Sequence, residues 1–294
     1  MDKLDLKHFR IDSTTDLKNK ATSYPLEING KKVKVALKDT REKLGKWQDK
    51  LYAHGKYAVL ICIQGMDTAG KDSLIREVFK DFNSRGVVVH SFKVPTPLEL
   101  KHDFLWRHYI ALPARGKFGV FNRTHYENVL VTKVHPEYIL GENLPEVTSL
   151  EDVNEAFWEE RFNSIRNFEK HIAENGTLIF KFFLHISKEE QRQRLLRRLR
   201  KPQKNWKFSP ADLKERALWD EYQHAYEKAI NATSKPHAPW YVIPADDKDT
   251  ARYLVAKILY DVLIEYKDVQ EPELSPEVKS NLEEYMEILK KETL

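Results

Sequence analysis

Residues 57–73 read YAVLICIQGMDTAGKDS. The first part, Tyr57–Ile63, is an unbroken run of apolar, β-branched and aromatic side chains, which predicts a strand buried on both faces. The second part places Gly65, Met66, Asp67, Thr68, Ala69, Gly70 and Lys71 in the spacing G-x-x-x-x-G-K, the pattern of a phosphate-binding loop between a strand and a helix. The glycines permit a tight turn whose backbone N–H groups converge on phosphate oxygens. A helix starting near Gly70 adds its positive end, and Lys71 brings a point charge to the terminal phosphates. Two residues depart from the usual loop. Asp72 stands where a magnesium-binding Ser or Thr hydroxyl is common, with Ser73 one position later. Asp67 lies inside the loop, and a carboxylate there repels a phosphate unless a metal or a proton stands between them. Asp67 is therefore either a loop residue facing solvent, or a magnesium ligand or anchor that activates the accepting phosphate.

Working outward, four more short apolar runs follow: Val87–Phe92, Lys117–Asn122, Thr177–Ile186 and Trp240–Pro244. Helical periodicity is read from Lys32 to about Gly55, from the loop to about Gly86, over Leu98–Tyr109 and over Asp152–Glu174. It returns after Ser187, over residues 211–231 and over Asp246–Tyr266. Strands alternating with helices at crossover spacing predict an α/β fold, a three-layer α-β-α arrangement around a five-stranded parallel sheet. The expected organisation is one domain over 1–294, with an N-terminal helical extension (1–55), a helical lid (188–208) and a C-terminal helical tail (268–294).

A chain of 294 residues suffices for one large α/β domain. No run reaches membrane-spanning length, and the first residues, MDKLDLKHF, lack the apolar centre of a signal peptide. A cytoplasmic protein without membrane contact is expected. The single cysteine, Cys62, lies within the first strand and reads as a buried small hydrophobe. The net charge is +4, and the basic residues crowd residues 188–207. A cluster so compact, with the rest of the chain near balance, points to a polyanionic ligand under a lid and away from nucleic acid, which calls for a broader basic surface.

Phosphoryl transfer needs a cradle, magnesium to bridge the phosphates, and cations that cover the transferring group. The third strand runs into Asn122-Arg123-Thr124-His125-Tyr126-Glu127. Asn122 occupies a strand end where Asp is common; its carbonyl can bind metal or order metal-bound water, leaving Asp67 and Asp72 to supply charge. Arg123 suits bidentate phosphate binding or a salt bridge. His125 fits a phosphate contact or a structural role, and Glu127 an assisting or a solvated one. Arg197, Arg198, Lys201, Lys204 and Lys207 supply the covering cations; from Arg192 to Lys207 there is no carboxylate. Such density repels itself in the free protein and makes sense when a polyanion arrives. Arg192 and Arg194 read as a solvated face. Phe92, Trp106 or Trp206 could wall a nucleotide base. An ATP-dependent P-loop kinase for a nucleotide or small metabolite would share the cradle and lid, with less positive charge around the lid.

Three stretches, GMDTAGKD, VFNRTHYE and LLRRLRKPQKNWKFSPADLKERALWDEY, resemble the polyphosphate kinase 2 family in the same order, the likeness running over roughly residues 30–270. The resemblance implies a P-loop kinase fold similar to thymidylate kinase. It implies magnesium-dependent, reversible transfer of the terminal phosphate of inorganic polyphosphate to nucleotides, AMP to ADP and ADP to ATP, with guanine nucleotides as further acceptors. By this likeness Asp67 matches the family's essential loop aspartate, working with magnesium and the accepting phosphate. Lys71 matches the loop lysine, Arg123 the arginine after the strand, and Arg197, Arg198, Lys201 and Lys204 the lid cations. Asn122, where many members have Asp, is similar to the subgroup that accepts both mono- and diphosphates. The family's assemblies imply a homodimer or homotetramer.

Overall fold

The computed structural model describes residues 5–28, 30–205 and 208–292. Trp206 and Lys207 lie outside the described residues, as does the side chain of Lys204. In chain order the elements are β1 (Arg10–Ile11), α1 (Lys31–His54), β2 (Ala58–Gly65), α2 (Lys71–Val78), β3 (Val87–Ser91), α3 (Trp106–Tyr109), β4 (Phe118–Asn122), α4 (Glu127–Val134) and α5 (Glu137–Leu140). They continue with α6 (Glu155–Glu174), β5 (Thr177–His185), α7 (Lys188–Arg200), α8 (Pro202–Asn205), α9 (Ala211–Ala217), α10 (Trp219–Thr233), β6 (Trp240–Pro244), α11 (Lys248–Leu263), α12 (Pro276–Ser280) and α13 (Leu282–Lys291).

The sheet runs β1-β6-β5-β2-β4-β3. The five expected strands are all present and parallel. The sheet nevertheless has six strands, because β1 pairs antiparallel with β6, Arg10 opposite Tyr241 and Ile11 opposite Trp240. Two residues are too few to show an alternating pattern, so this edge strand left no trace in the sequence reading. Every residue of β2 is buried. Leu60 and Cys62 pack with Phe121, Ile179 and, from α6, Phe168 and Ile172. The alternate residues Val59, Ile61 and Ile63 belong to the larger core, as the period-two geometry of a doubly covered strand requires. Helices α1, α2 and α11 pack together, and α4, α6 and α10 form a second group.

Some helices differ from expectation. The Leu98–Tyr109 segment is not continuous: Glu99–Lys101 is a single 3-10 turn, His102 is extended, and α3 starts only at Trp106. Asp103 Oδ1 accepts from the Leu105 amide at 2.9 Å, a local bond that competes with helix formation. Helix α2 stops at Val78, short of Gly86, and residues 211–231 split into α9 and α10 at Leu218. By contrast α1 ends where expected, with Gly55 in the left-handed region (φ 69°) and its N–H on the Leu51 carbonyl.

The neighbours β2 and β5 connect onward in opposite directions, β2 towards β3 and β5 towards β6. This is the switch point at which open α/β sheets form a crevice beyond the strands' carboxyl ends. The phosphate loop follows β2 and α7 follows β5, so both arise at that crevice.

Candidate active site

The loop between β2 and α2 has the backbone of an anion cradle. Gly65 (φ 155°) and Gly70 (φ 107°) take positive φ, and so does Thr68 (φ 65°), a conformation unusual for a residue with a Cβ. A Cβ at Gly65 would meet the Leu184 carbonyl at 3.0 Å, so the loop lies hard against β5. Lys71 Nζ donates to the Gly65 carbonyl at 2.5 Å and the Met66 carbonyl at 3.4 Å. Burial depresses the Lys71 pKa, with Asp67 the first of the groups acting the other way.

Parallel pairing sets Asn122 at the end of β4 beside Ile63 of β2 and Ser91 of β3. Its Nδ2 donates to Asp72 Oδ1 (2.8 Å) and Ser91 Oγ (3.3 Å), while Oδ1 is buried without a hydrogen-bond partner. Arg123 has positive φ (58°), a strained position of the kind found at working sites. Its guanidinium lies 3.6 Å from Asp67 Oδ1. Burial works against the Arg123 charge, but Glu127 and Asp67 hold its pKa above the ordinary value. Glu127, half-buried in the first turn of α4, thus acts on the site through its charge.

His125 is in the core and not in the cleft. It is fully buried, its Nε2 is 3.2 Å from Glu169 Oε1 on α6, and burial lowers its pKa. The Tyr126 hydroxyl beside it donates to the same Glu169 Oε1 and to Thr233 Oγ1.

A cleft of about 890 Å³ opens beyond β2, β4 and β5. Phosphate-loop residues Asp67, Thr68, Ala69, Gly70, Lys71, Asp72 and Ser73 line it, with Asn122 and Arg123. Helix α7 and the residue after it contribute Arg197, Arg198 and Lys201. The expected cations therefore meet the loop, apart from Lys204 and Lys207, which fall outside what is described. Their charges are not unopposed: Arg197 donates to Glu190 Oε1 at 2.6 Å and Arg198 to Asp212 Oδ2 at 2.8 Å.

Two more cations, Lys93 after β3 and Lys248 at the start of α11, also line the cleft. Lys93 sits on a turn at a strand's carboxyl end, a position that could have flagged it; Lys248 had no such signal. Arg194 overturns its reading as a solvated residue. Its side chain is 3 % exposed and bonds to the carbonyls of Thr68 (3.0 Å), Ala69 (2.7 Å), Ala245 (2.6 Å) and Asp246 (2.9 Å). Arg192 is exposed and paired with Glu189, as expected.

Among the described residues lining the cleft, none is aromatic. Trp106 stacks on His102 with ring centroids 4.0 Å apart, and Phe92 packs between His108 and Phe121. Cys62 is fully buried and burial raises its thiol pKa, as suits a core residue. Among the described residues no three His, Cys, Asp or Glu side chains gather to hold a metal, and no helix is long and apolar enough to cross a membrane.

The family model for polyphosphate kinase 2 matches residues 27–272. The chain belongs to the polyphosphate kinase 2 family. It is 48 % identical to the ADP-polyphosphate phosphotransferase of Rhodopseudomonas palustris over 241 residues, 82 % of each chain. It is equally 48 % identical to the AMP/ADP-polyphosphate phosphotransferase of Meiothermus ruber, over 78 % of this chain and 80 % of that one. The crystal structure of polyphosphate kinase 2 from Arthrobacter aurescens superposes with a TM-score of 0.86 at 34 % identity, covering 98 % of this chain and 100 % of the other. The family match and the overall superposition thus place the fold in one enzyme family.

Proposed function

We propose that this protein transfers the terminal phosphate of inorganic polyphosphate to nucleotides, AMP to ADP and ADP to ATP. One observation carries the reading. The cleft is lined by eight cationic side chains (Lys71, Lys93, Arg123, Arg194, Arg197, Arg198, Lys201 and Lys248) against three carboxylates (Asp67, Asp72 and Asp212), with no aromatic wall among its described residues. That excess of cations suits a chain of repeating anions as donor. The names of the relatives, which join polyphosphate to ADP and AMP, support the same conclusion.

In this reading the phosphate loop and Lys71 hold a phosphate, Arg123 bridges from the β4 end, and Arg197, Arg198 and Lys201 lie along the polyphosphate under a lid that includes α7 and α8. An oxygen of the acceptor's terminal phosphate attacks the terminal phosphorus of the chain. A new P–O bond forms, the anhydride P–O bond breaks, and the shortened chain leaves with the negative charge. The second ionisation of a phosphate monoester lies near pH ~6, so the acceptor oxygen is already anionic at neutral pH and needs no deprotonation. The work left to the protein is alignment and stabilisation of charge. Guanidinium groups on the leaving phosphate match the charge as it develops, and lid closure excludes the water that would hydrolyse the chain.

The donor set fits magnesium. Asp67 and Asp72 line the cleft beside Asn122, whose Oδ1 is buried and unpartnered. Magnesium typically takes one or two carboxylates and keeps several waters, so a cluster of three acidic ligands is not required. Asp67 and Asn122 would hold it, and it would neutralise charge on the transferring phosphate. The wider reading is of a cytoplasmic homodimer or homotetramer.

The test is a donor–acceptor assay with magnesium, polyphosphate and either AMP or ADP, followed by chromatography of the nucleotides. ADP and then ATP from AMP is the expected result. No product from polyphosphate, with transfer from ATP to another acceptor, would make this an ordinary nucleotide or metabolite kinase with a basic lid.

A further inference from the structure

Three consecutive carbonyls of the phosphate loop are bound by side chains of one helix. Gln191 Nε2 donates to the Asp67 carbonyl at 3.2 Å, and Arg194 Nη1 to those of Thr68 (3.0 Å) and Ala69 (2.7 Å). The guanidinium is itself fixed: Nε donates to Glu190 Oε1 at 2.7 Å, and Nη2 to the carbonyls of Ala245 and Asp246 beyond β6. Gln191 is buried and its Oε1 accepts from Arg216 at 2.6 Å. These side chains therefore have little freedom to turn away.

The consequence follows from the peptide unit. It is planar and trans, so the N–H of each residue points opposite to the carbonyl of the residue before it. Holding the carbonyls of Asp67, Thr68 and Ala69 therefore fixes the amides of Thr68, Ala69 and Gly70. The Ala69 amide bonds to the Met66 carbonyl at 3.0 Å. The Thr68 and Gly70 amides are left pointing opposite to the α7 donors. Thr68 sits at φ 65°, a state that a residue with a Cβ keeps only when its surroundings enforce it. One helical turn beyond Arg194, Arg197 and Arg198 line the same cleft.

We propose that Arg194, assisted by Gln191, is a positioning residue for phosphoryl transfer: it holds the loop carbonyls so that the loop amides face the anion, and it anchors the helix that brings Arg197 and Arg198 over the same phosphates. An ammonium cannot replace the guanidinium, because carbonyls on both sides of a planar fork are bridged at once.

This inference rests on the phosphotransfer reading, and unaltered protein assayed in parallel separates the two. No transfer from polyphosphate by the unaltered protein would sink that reading; transfer by it, with unaffected variants, would sink only this one. The variants are Arg194→Ala, Arg194→Lys and Gln191→Leu, each checked by circular dichroism and thermal melting. Folded Arg194→Ala is expected to lose about 100-fold in kcat, the scale of an ångström-sized misplacement of reacting groups. Guanidinium at low millimolar concentration should restore a large part of that loss, whereas Arg194→Lys should remain slow. A merely structural role predicts no rescue, since guanidinium only weakens a destabilised fold. A folded Arg194→Ala with kcat within threefold of the unaltered protein, or a loss that guanidinium does not relieve, overturns the proposal. Should Arg194→Ala not fold, Gln191→Leu decides: about a tenfold fall in kcat at unchanged melting temperature is expected, and an unchanged kcat refutes it.

Discussion

Lys181→Met should be among the most destabilising single substitutions outside the cleft. Lys181 is fully buried in β5, and its Nζ donates to Glu169 Oε2 (2.6 Å), the Tyr126 hydroxyl (2.9 Å) and the Thr233 carbonyl (2.8 Å). Methionine keeps most of the stem's volume and removes the charge and the three donors. Glu169 is then buried without its cation, and removing one partner of such a pair costs about 3–5 kcal/mol. At roughly 2–4 °C per kcal/mol for a chain near this size, the melting temperature falls by about 10 °C. The pH dependence sharpens the test. In the unaltered protein burial pushes the Glu169 carboxyl up, but Lys181 and His125 outweigh it and its pKa stands below the ordinary value. The stability this contributes is present above an unfolded pKa of about 4.3 and is lost as pH falls through the folded value. Without Lys181 burial prevails and the pKa is raised. The folded state then binds the extra proton, and stability falls as pH rises above about 4.3. The defect measured by urea unfolding should therefore be smaller at acidic pH, just above that value, than at neutral or alkaline pH. The double variant Lys181→Met, Glu169→Leu should recover much of the loss, because an apolar pair needs no partner charge. A single variant within 1 kcal/mol of the unaltered protein at neutral pH, or a defect that grows towards acid, would refute this account of the core.

Asp67→Asn should lower transfer by about 100-fold or more with the circular dichroism spectrum intact, since it removes a charge at the reacting phosphates; retention of most activity would take Asp67 out of the mechanism. Asn122→Asp places a carboxylate where an N–H now donates to Asp72 at 2.8 Å, and it should change the ratio of kcat/KM for AMP to that for ADP. An unchanged ratio would separate Asn122 from acceptor choice. Arg197→Gln removes a charge-assisted contact worth a few kcal/mol at most, so KM for polyphosphate should rise about 10-fold and lose part of its salt dependence; an unchanged KM would leave Arg197 as a partner of Glu190 alone.

The parts legible in the sequence are those with a local physical cause. The inner strands were readable because strands buried on both faces are dominated by apolar side chains, as Ala58–Ile63 is, and the edge strand β3 because its Val87–Val89 run is β-branched. The loop was readable because a tight turn with converging amides needs glycine at fixed spacing. Gly65 and Gly70 do take positive φ. What stayed hidden depends on partners distant in sequence. Strand β1 exists only because β6 offers an open edge. Arg194 and Arg197 look alike in a run of arginines, and nothing in that run says that one is buried against the loop carbonyls and the other exposed. His125 had two open readings, and the choice is made by Glu169, which lies 44 residues on. Lys248 joins the cleft through the sheet order alone.

The expectation that the lid cations repel one another in the free protein fails for a specific reason. Carboxylates absent from residues 192–207 arrive from the turn before and the helix after. Glu190 accepts from both Arg194 and Arg197, and Asp212 of α9 accepts from Arg198. In the same way Asp67 lies 3.6 Å from Arg123, and the Lys71 ammonium is taken up by loop carbonyls. Each of these cations thus has a substitute for phosphate already in place. An incoming anion has to displace these partners, and a partly exposed ion pair is worth only about 1 kcal/mol or less. A single phosphate gains little by displacing one of them. A polyphosphate that exchanges several together gains for each exchange while losing its translational freedom once. The carboxylates thus keep these cations from repelling one another, and in the proposed reaction they would favour a polyanion that exchanges several of these pairs at once over a single phosphate.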